Sequence, residues 1–176
     1  MINLVKQAMS ENLYHLGDIT NQILKNNKKI TAKIIANEDC VVGGLNFVKE
    51  AFKYSDKRII IKFKTKDGRK INKGKIVAEV HGKAKSILKS ERVALNFLSL
   101  ISGVATTTKK FVIKVKDKPC KICCTRKTFP GLRLIQKYGV KLGGGFNHRF
   151  NLSDEILIKD NHISIEKNIN NLVKRA

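Results

Sequence analysis

The feature that most constrains this chain is the alternation of strand-like and helix-like segments after Pro119. Lys121–Thr125 and Glu155–Lys159 are short and largely apolar, as buried strands are, and Pro130 in a first helical turn favours a helix over Gly131–Tyr138. Strands that alternate with helices predict βα units and therefore a parallel sheet or barrel. A closed βα barrel typically takes about 250 residues. The chain has 176 residues, so we expect only part of a barrel.

The residues before Pro119 predict a mixed α+β organisation instead. The expected elements are a helix over residues 1–25, strands Thr31–Ala36 and Cys40–Val42 around a turn, a helix over Leu45–Tyr54, strands Arg58–Lys64 and Lys75–His81, and, at the far end of the chain, a last helix from about Ile165. The sequence therefore predicts an α/β protein with two domains, an α+β domain over residues 1–110 and an incomplete barrel over residues 111–176.

The clearest helical pattern covers Ser90–Ile101, where apolar residues recur at helical spacing. Ser90 is a candidate N-cap, and Gly103 is a candidate end of the helix. Arg92 would then lie in the first turn, where a cation meets the positive end of the helix dipole. Two interpretations stay open: a solvated side chain that costs about a few tenths of a kcal/mol, or a guanidinium that joins the free backbone amides in holding an anion.

The chain is strongly basic, with 36 Lys and Arg against 14 Asp and Glu and a formal net charge of +22. Such a charge is typical of nucleic-acid-binding proteins. The lysines are, however, spread almost evenly, and the sequence has no Trp and no basic motif studded with aromatic residues. A nucleic-acid-binding module therefore stays only as an alternative. With no apolar run of transmembrane length and no visible secretory signal, we expect a cytoplasmic protein that does not bind a membrane.

The four cysteines raise the question of zinc. Cys120, Cys123 and Cys124 supply half of a zinc-knuckle spacing, but no second half follows, and Cys40 lies far away in the sequence. We therefore favour small buried side chains in a strand over metal ligation. A cytoplasmic location also disfavours disulfides.

Basic residues cluster near the ends of the predicted strands. Ligands of βα proteins bind at the carboxyl ends of the strands. We therefore expect one cleft to be lined by Arg126, Lys127, His148, Arg149 and Lys159. No side-chain nucleophile with an attendant base accompanies these cations. The cleft is thus suited to a multiply charged anion, either a dicarboxylate or a phosphate together with a pyrophosphate.

Several long motifs occur in a fixed order along nearly the whole chain. They are Gly17–Thr20, Ser90–Leu98, Ser102–Thr106, Thr125–Arg133, Gly143–Arg149 and Leu157–His162. Together they closely resemble quinolinate phosphoribosyltransferase, the decarboxylating nicotinate-nucleotide pyrophosphorylase family.

The resemblance implies an open α/β sandwich followed by an unusual α/β barrel. It also implies an enzyme, a pentosyltransferase of NAD biosynthesis. The reaction implied is transfer of phosphoribose from phosphoribosyl pyrophosphate to the ring nitrogen of quinolinate, with release of carbon dioxide and pyrophosphate to give nicotinate mononucleotide. Mg²⁺ would accompany the phosphoribosyl pyrophosphate.

The resemblance also implies roles for seven residues of this chain. None of the seven would be a metal ligand. Arg126, His148 and Arg149 would hold the carboxylates of quinolinate. Thr125, Lys127 and Lys159 would line the same cleft, with the two lysines facing the phosphoribosyl donor. Arg92 would reach the site of the partner subunit in a homodimer.

Two departures from the family pattern affect these expectations. Cys124 stands where the family usually has Asp, so the orientation of Arg126 or its neighbours is expected to loosen. The acidic residues and glycine-rich phosphate loops of the family would lie beyond Ala176. The chain would then be a fragment of a larger enzyme, one half of a split polypeptide or a decaying gene product; we favour a truncated or degraded gene product and expect little activity from the chain alone. Among enzymes, the alternative is the similar phosphoribosyltransferase family encoded beside molybdate transporters; a cation set suited to a dicarboxylate favours quinolinate.

Overall fold

The structure is a computed structural model that describes residues 2–176. In chain order its elements are α1 (Ile2–Leu13), a short 3₁₀ helix (Thr20–Ile23), β1 (Lys29–Ile35), β2 (Cys40–Val41), α2 (Leu45–Ser55), β3 (Ile60–Phe63), β4 (Lys70–Ile71), β5 (Ile76–Lys83), α3 (Ala84–Lys114), α4 (Arg133–Leu142), α5 (Asp160–Glu166) and α6 (Ile169–Arg175). None of these helices combines the length and the apolar character needed to cross a membrane.

An antiparallel three-stranded sheet, in the order β1-β5-β3, forms the first half of the fold. Its residues alternate between a buried and an open face, as strand geometry requires. Ala32, Val80 and Ile61 lie side by side across the strands and contribute to the core. The neighbouring row contains Ile60, which is 59% exposed. Helices therefore cover one face only, which is the open sandwich expected for this part of the chain.

The core lies between that sheet and the helices α1, α2 and α3. Phe47 of α2 stacks on Phe97 of α3 with ring centroids 4.9 Å apart. Val48 and Ile101 have no exposed surface. The predicted helix over Leu45–Tyr54 is confirmed, since its five buried residues recur at helical spacing on the face toward α3.

Helix α4 packs on the second half of α3, where three glycines allow a close approach. A Cβ placed on Gly143 would lie 2.6 Å from Cβ of Thr108, and one placed on Gly139 would lie 2.9 Å from Val104. A Cβ on Gly145 would lie 2.9 Å from Cγ2 of Thr108. The glycine-rich turn after α4 thus brings the following residues back against α3.

Two helical predictions were wrong in their extent. The first helix ends at Leu13 rather than near residue 25. Tyr14, directly after it, adopts the left-handed backbone conformation (φ +42°), and Gly17 adopts it again at φ +67°. Helix α3 begins six residues before Ser90 and continues through Gly103. A glycine inside a helix costs only about 1 kcal/mol, and buried residues such as Ala105 continue the packed face beyond it.

The position of Ser90 and Arg92 inside α3 removes one of the two interpretations of Arg92. Ser90 is fully buried, and its hydroxyl donates to Oγ of Ser55 at 2.5 Å, so it is not an N-cap. Arg92 is the ninth residue of α3 and has no access to free backbone amides at the start of the helix. The anion site at a helix N-terminus is therefore excluded for Arg92.

The predicted elements after Pro119 were only partly right. Lys121–Thr125 is not a strand but contributes one parallel bridge, from Cys123 to Phe146. Glu155–Lys159 forms no strand, because it has no partner to pair with among the described residues and only Ile158 is even partly buried. The helix predicted over Gly131–Tyr138 exists, but it runs over Arg133–Leu142.

The cysteines are less buried than expected. Cys120 and Cys123 are exposed, whereas Cys40 and Cys124 are partly buried. The burial prediction failed because the segment around Cys120 and Cys123 is a surface connection rather than a central strand. The boundary predicted between residues 110 and 111 lies inside α3 and stays a prediction.

Candidate carboxylate-binding site

The parallel bridge between Cys123 and Phe146 aligns two of the predicted basic segments. The amide of Phe146 donates to the carbonyl of Ile122 at 2.8 Å, and the amide of Cys124 donates to the carbonyl of Phe146 at 2.9 Å. Both chains leave this bridge in the same direction, since the pairing is parallel. Residues 125–127, the first arm, and residues 147–149, the second arm, therefore begin side by side.

The first arm carries a guanidinium with an unused donor. Arg126 is partly exposed as a residue, but its Nε atom is buried and has no hydrogen-bond partner within residues 2–176. Oγ1 of Thr125 accepts the amide of Lys127 at 3.1 Å and so shapes the turn. Lys127 is exposed. A buried N–H without an acceptor is costly, and the side-chain hydrogen bonds and ion pairs found among residues 2–176 do not include the guanidinium of Arg126.

The second arm holds Arg149 and His148 against a residue that sequence reasoning missed, Glu155. Arg149 is 7% exposed, and its Nη1 donates to the backbone carbonyl of Glu155 at 3.0 Å. Nε2 of His148 lies 3.3 Å from Oε2 of Glu155. Glu155 therefore contacts two of the residues expected to hold a dicarboxylate, and its side chain adds a negative charge beside them.

Lys137 of α4 is a second residue that sequence reasoning missed. It is 3% exposed, and its Nζ lies 2.8 Å from Sγ of Cys124 and donates to the carbonyl of His148 at 3.1 Å. The amide of His148 also lies 3.4 Å from Sγ of Cys124. The sequence offers no signal that separates Lys137 from the other basic residues, since 36 of them are distributed along the chain.

Arg133, at the start of α4, makes a further connection between the segments. Its Nε donates to Oγ1 of Thr128 at 3.2 Å, and its Nη1 donates to the carbonyl of Phe150 at 3.0 Å. Thr128 follows the first arm and Phe150 follows the second arm. Side chains of one helix thus hold both arms.

Two predicted site residues lie apart from this cluster. Lys159 is exposed directly before α5, and the contacts found among residues 2–176 do not join its side chain to either arm. Arg92 is exposed on α3, where it lines a cavity of about 500 Å³ between that helix and β1. Within the protomer, the segment with Thr125, Arg126 and Lys127 and the segment with His148 and Arg149 start side by side. The contacts found among residues 2–176 join neither Arg92 nor Lys159 to these segments.

Tyr138, next to Lys137, fixes α4 to the first half of the fold. Its hydroxyl donates to Oδ2 of Asp67 at 2.7 Å, and Oδ1 of Asp67 accepts the amide of Leu45 at the start of α2. Burial and the Asp67 carboxylate raise the pKa of Tyr138 to about 12. The helix that carries Lys137 and Arg133 is therefore anchored on both sides.

The described residues give no cluster of three or more His, Cys, Asp or Glu that could hold a metal ion. The arrangement of an open sandwich, a long helix and two arms that carry cations is that of an α/β protein with a basic surface between two neighbouring segments.

Comparison with known proteins identifies the family. The model described as "Quinolinate phosphoribosyl transferase, N-terminal domain" matches residues 18–102, and the one described as the C-terminal domain matches residues 104–176. The chain belongs to the quinolinate phosphoribosyltransferase family. The resemblance noted in its sequence motifs is thus confirmed.

Individual relatives agree with this assignment. The chain is 42% identical over 160 residues to a probable nicotinate-nucleotide pyrophosphorylase [carboxylating] of Bacillus subtilis, covering 91% of this chain and 55% of the relative. It is 40% identical over 172 residues to the chloroplastic enzyme of that name from Arabidopsis thaliana, covering 97% of this chain and 49% of the relative. The chain spans about half the length of the curated relatives it matches.

Solved structures confirm the α/β fold class. NadC from Streptococcus pyogenes has a TM-score of 0.92 at 37% identity, covering 98% of this chain and 62% of that one. The nicotinate-nucleotide pyrophosphorylase from Francisella tularensis has a TM-score of 0.89 at 40% identity, covering 93% and 57% of the two chains.

Proposed function

We propose that this chain supplies the quinolinate-binding part of a nicotinate-nucleotide pyrophosphorylase, which transfers phosphoribose from phosphoribosyl pyrophosphate to quinolinate with loss of carbon dioxide. The observation that carries the proposal is the partly exposed Arg126, whose guanidinium is outside the ion pairs and side-chain hydrogen bonds found among residues 2–176, on the arm that starts beside the second arm. A carboxylate would pair with the exposed part of that guanidinium by charge-assisted hydrogen bonds. The names of the relatives, nicotinate-nucleotide pyrophosphorylase and quinolinate phosphoribosyltransferase, support the choice of reaction.

Two arms suit a ligand with two adjacent carboxylates. Arg126 on the first arm would take one carboxylate, and His148 with Arg149 on the second arm would take the other. Because Arg149 is 7% exposed, its charge is less screened by water than that of a surface arginine. The ligand is thereby oriented by charge, and the ring nitrogen between the arms stays free to react.

The chemistry requires no protein nucleophile. When pyrophosphate leaves, negative charge grows on the leaving group, and fixed cations stabilise it. Loss of carbon dioxide beside the ring nitrogen requires that nitrogen to be cationic, so transfer of phosphoribose comes first. Lys127 and Lys159 are proposed to face the phosphoribosyl donor, with Thr125 beside them, and Mg²⁺ would enter as the complex of that donor.

The proposal extends to assembly and location. Arg92 lies exposed on α3 at the cavity beside β1, away from the two arms of its own protomer. We propose that it completes the site of a partner subunit in a homodimer, and that the protein acts in the cytoplasm. Light scattering of the purified chain measures the first of these directly: a monomer at all concentrations would contradict it.

The central experiment uses calorimetry to measure quinolinate binding by the purified 176-residue chain. We expect binding that is lost in the double variant Arg126→Ala, Arg149→Ala. Because Arg149 is buried and its loss could unfold the arm, Arg126→Ala alone is measured as well. A matched control, Lys109→Ala with Lys110→Ala, removes two exposed positive charges of α3 and is expected to leave binding unchanged.

The outcomes separate the proposal from its alternatives. An equal loss of quinolinate affinity in the control pair would assign binding to the overall positive charge. Salt-sensitive binding of RNA or DNA that persists after both arginine changes would favour a nucleic-acid-binding module. Tighter binding of nicotinate than of quinolinate would contradict the dicarboxylate assignment. Formation of nicotinate mononucleotide from quinolinate and phosphoribosyl pyrophosphate measures the whole reaction.

A further inference from the structure

The side chain of Lys137 is a buried ammonium without a carboxylate partner. It is 3% exposed, and the ion pairs found among residues 2–176 do not include it. Its Nζ is instead directed at two acceptors, Sγ of Cys124 at 2.8 Å and the carbonyl oxygen of His148 at 3.1 Å. Removing an ammonium from water is costly unless its N–H groups are satisfied. The two acceptors therefore have to stay in place for as long as the lysine is buried.

These two acceptors belong to different arms. Cys124 directly precedes the first arm, and His148 lies in the second. The amide of His148 lies 3.4 Å from the same sulfur atom, which closes a triangle between the two backbones and Nζ. The parallel bridge at Cys123 ends here, and the backbone hydrogen bonds found among residues 2–176 do not join the arms beyond it. Beyond the bridge, the contacts of Lys137 with Cys124 and His148 connect the two segments.

We propose that Lys137 is a positioning residue, which sets the spacing between the guanidinium of Arg126 and the pair His148 and Arg149. The inference rests on the proposed function, in which the two arms hold one dicarboxylate. A dicarboxylate needs both arms at a fixed distance, whereas a monocarboxylate needs only one. Loss of Lys137 therefore reduces selectivity for the dicarboxylate, rather than anion binding in general.

The test compares three variants. Lys137→Met keeps an unbranched chain of similar length but removes the three N–H donors. Lys141→Met, one turn further along α4 at an exposed position, is the matched control. Cys124→Asp places a carboxylate beside the ammonium and is expected to strengthen the connection between the arms, since a charged acceptor forms the stronger hydrogen bond.

We expect Lys137→Met to lower the ratio of quinolinate to nicotinate affinity by about tenfold, with nicotinate affinity changed by less than about twofold. Lys141→Met leaves the ratio unchanged. Cys124→Asp raises quinolinate affinity, and this gain disappears in the double variant with Lys137→Met, because the two residues act through one contact. A merely stabilising lysine would change the melting temperature but not the affinity ratio.

A measurement without ligand separates this inference from the proposed function. Lys137→Met should accelerate hydrogen exchange at the amide of His148, while mid-helix amides of α3 exchange as before. If the wild-type chain binds no quinolinate, the proposed function fails and this exchange result decides the positioning role. The positioning role of Lys137 is overturned if Lys137→Met changes neither the exchange rate of the His148 amide nor the ratio of quinolinate to nicotinate affinity. If Lys137→Met does not fold, Cys124→Ala replaces it, and the same two readouts decide.

Discussion

The close packing of α4 on α3 can be tested with one added carbon atom at Gly143. Its φ of −73° is one that any residue adopts, so alanine introduces no backbone strain, and only packing is perturbed. The new Cβ would lie 2.6 Å from Cβ of Thr108 and 3.0 Å from its Cγ2, and it would also meet the carbonyl oxygen of Ala105. Real carbon atoms do not approach so closely, so the two helices have to separate.

We expect Gly143→Ala to reduce the free energy of unfolding by about 1–3 kcal/mol, the usual cost of overpacking. In a chain of this size each kcal/mol lowers the melting temperature by about 2–4 °C. Circular dichroism with heat and with urea measures both quantities. The loss should extend to the site, since Gly143 begins the turn that returns the chain to the second arm.

Gly103→Ala is the matched control, because it adds the same atom to α3 at a position with nothing within 4 Å. There the better helix propensity of alanine should increase stability by about 0.5–1 kcal/mol. The two variants therefore have effects of opposite sign. A Gly143→Ala variant that is as stable as the wild type, or more stable, would contradict the close contact between Gly143 and Thr108 of α3.

Two further predictions concern Tyr138 and Glu155. Tyr138→Phe should cost about 1 kcal/mol at neutral pH by removing the hydrogen bond to Asp67. Because the pKa of Tyr138 is raised in the fold from 10.0 to about 12, this contribution is present below pH 10 and is lost as the pH rises toward 12, so urea unfolding curves of variant and wild type should converge there. Glu155→Gln should tighten quinolinate binding by up to about fivefold, because the exposed pair with His148 is worth about 0–1 kcal/mol. Glu166→Gln, which changes the net charge equally, should have no effect in the same calorimetric titration.

The sequence alone predicts most of the first half of the fold, because the signals for these elements lie within the elements themselves. Helix α2 and the strands β1, β3 and β5 each show the period of their own burial pattern, so their positions follow to within a few residues. The extent of α3 does not follow from local signals, because Gly103 is a helix breaker by propensity. Packing of Ala105 and Thr108 against α4 outweighs that propensity, and this packing is visible only in three dimensions.

In the candidate site, too, residues within sequence motifs could be predicted, whereas residues that act through contacts distant in the sequence could not. Two recognisable motifs contain Thr125, Arg126, Lys127, His148 and Arg149, and the structure places the two segments side by side. Lys137 and Glu155 could not be identified, because their importance comes from what they contact: a sulfur atom and a carbonyl oxygen in one case, an imidazole in the other. In a chain with 36 basic residues, Lys137 is distinguished by its burial, which its residue type does not reveal.

The two arms combine like charges that repel one another, so their own interactions cannot hold them together. Arg126 and Lys127 on the first arm and His148 and Arg149 on the second arm start from one parallel bridge, and Glu155 contacts the two residues of the second arm. The attraction that fixes them has to come from outside the ligand-binding surface, namely from the side chains of α4 and the contact of that helix with α3. In the proposed function, this support from α4 keeps the guanidinium of Arg126 outside the ion pairs found among residues 2–176, so that its charge is left for the ligand.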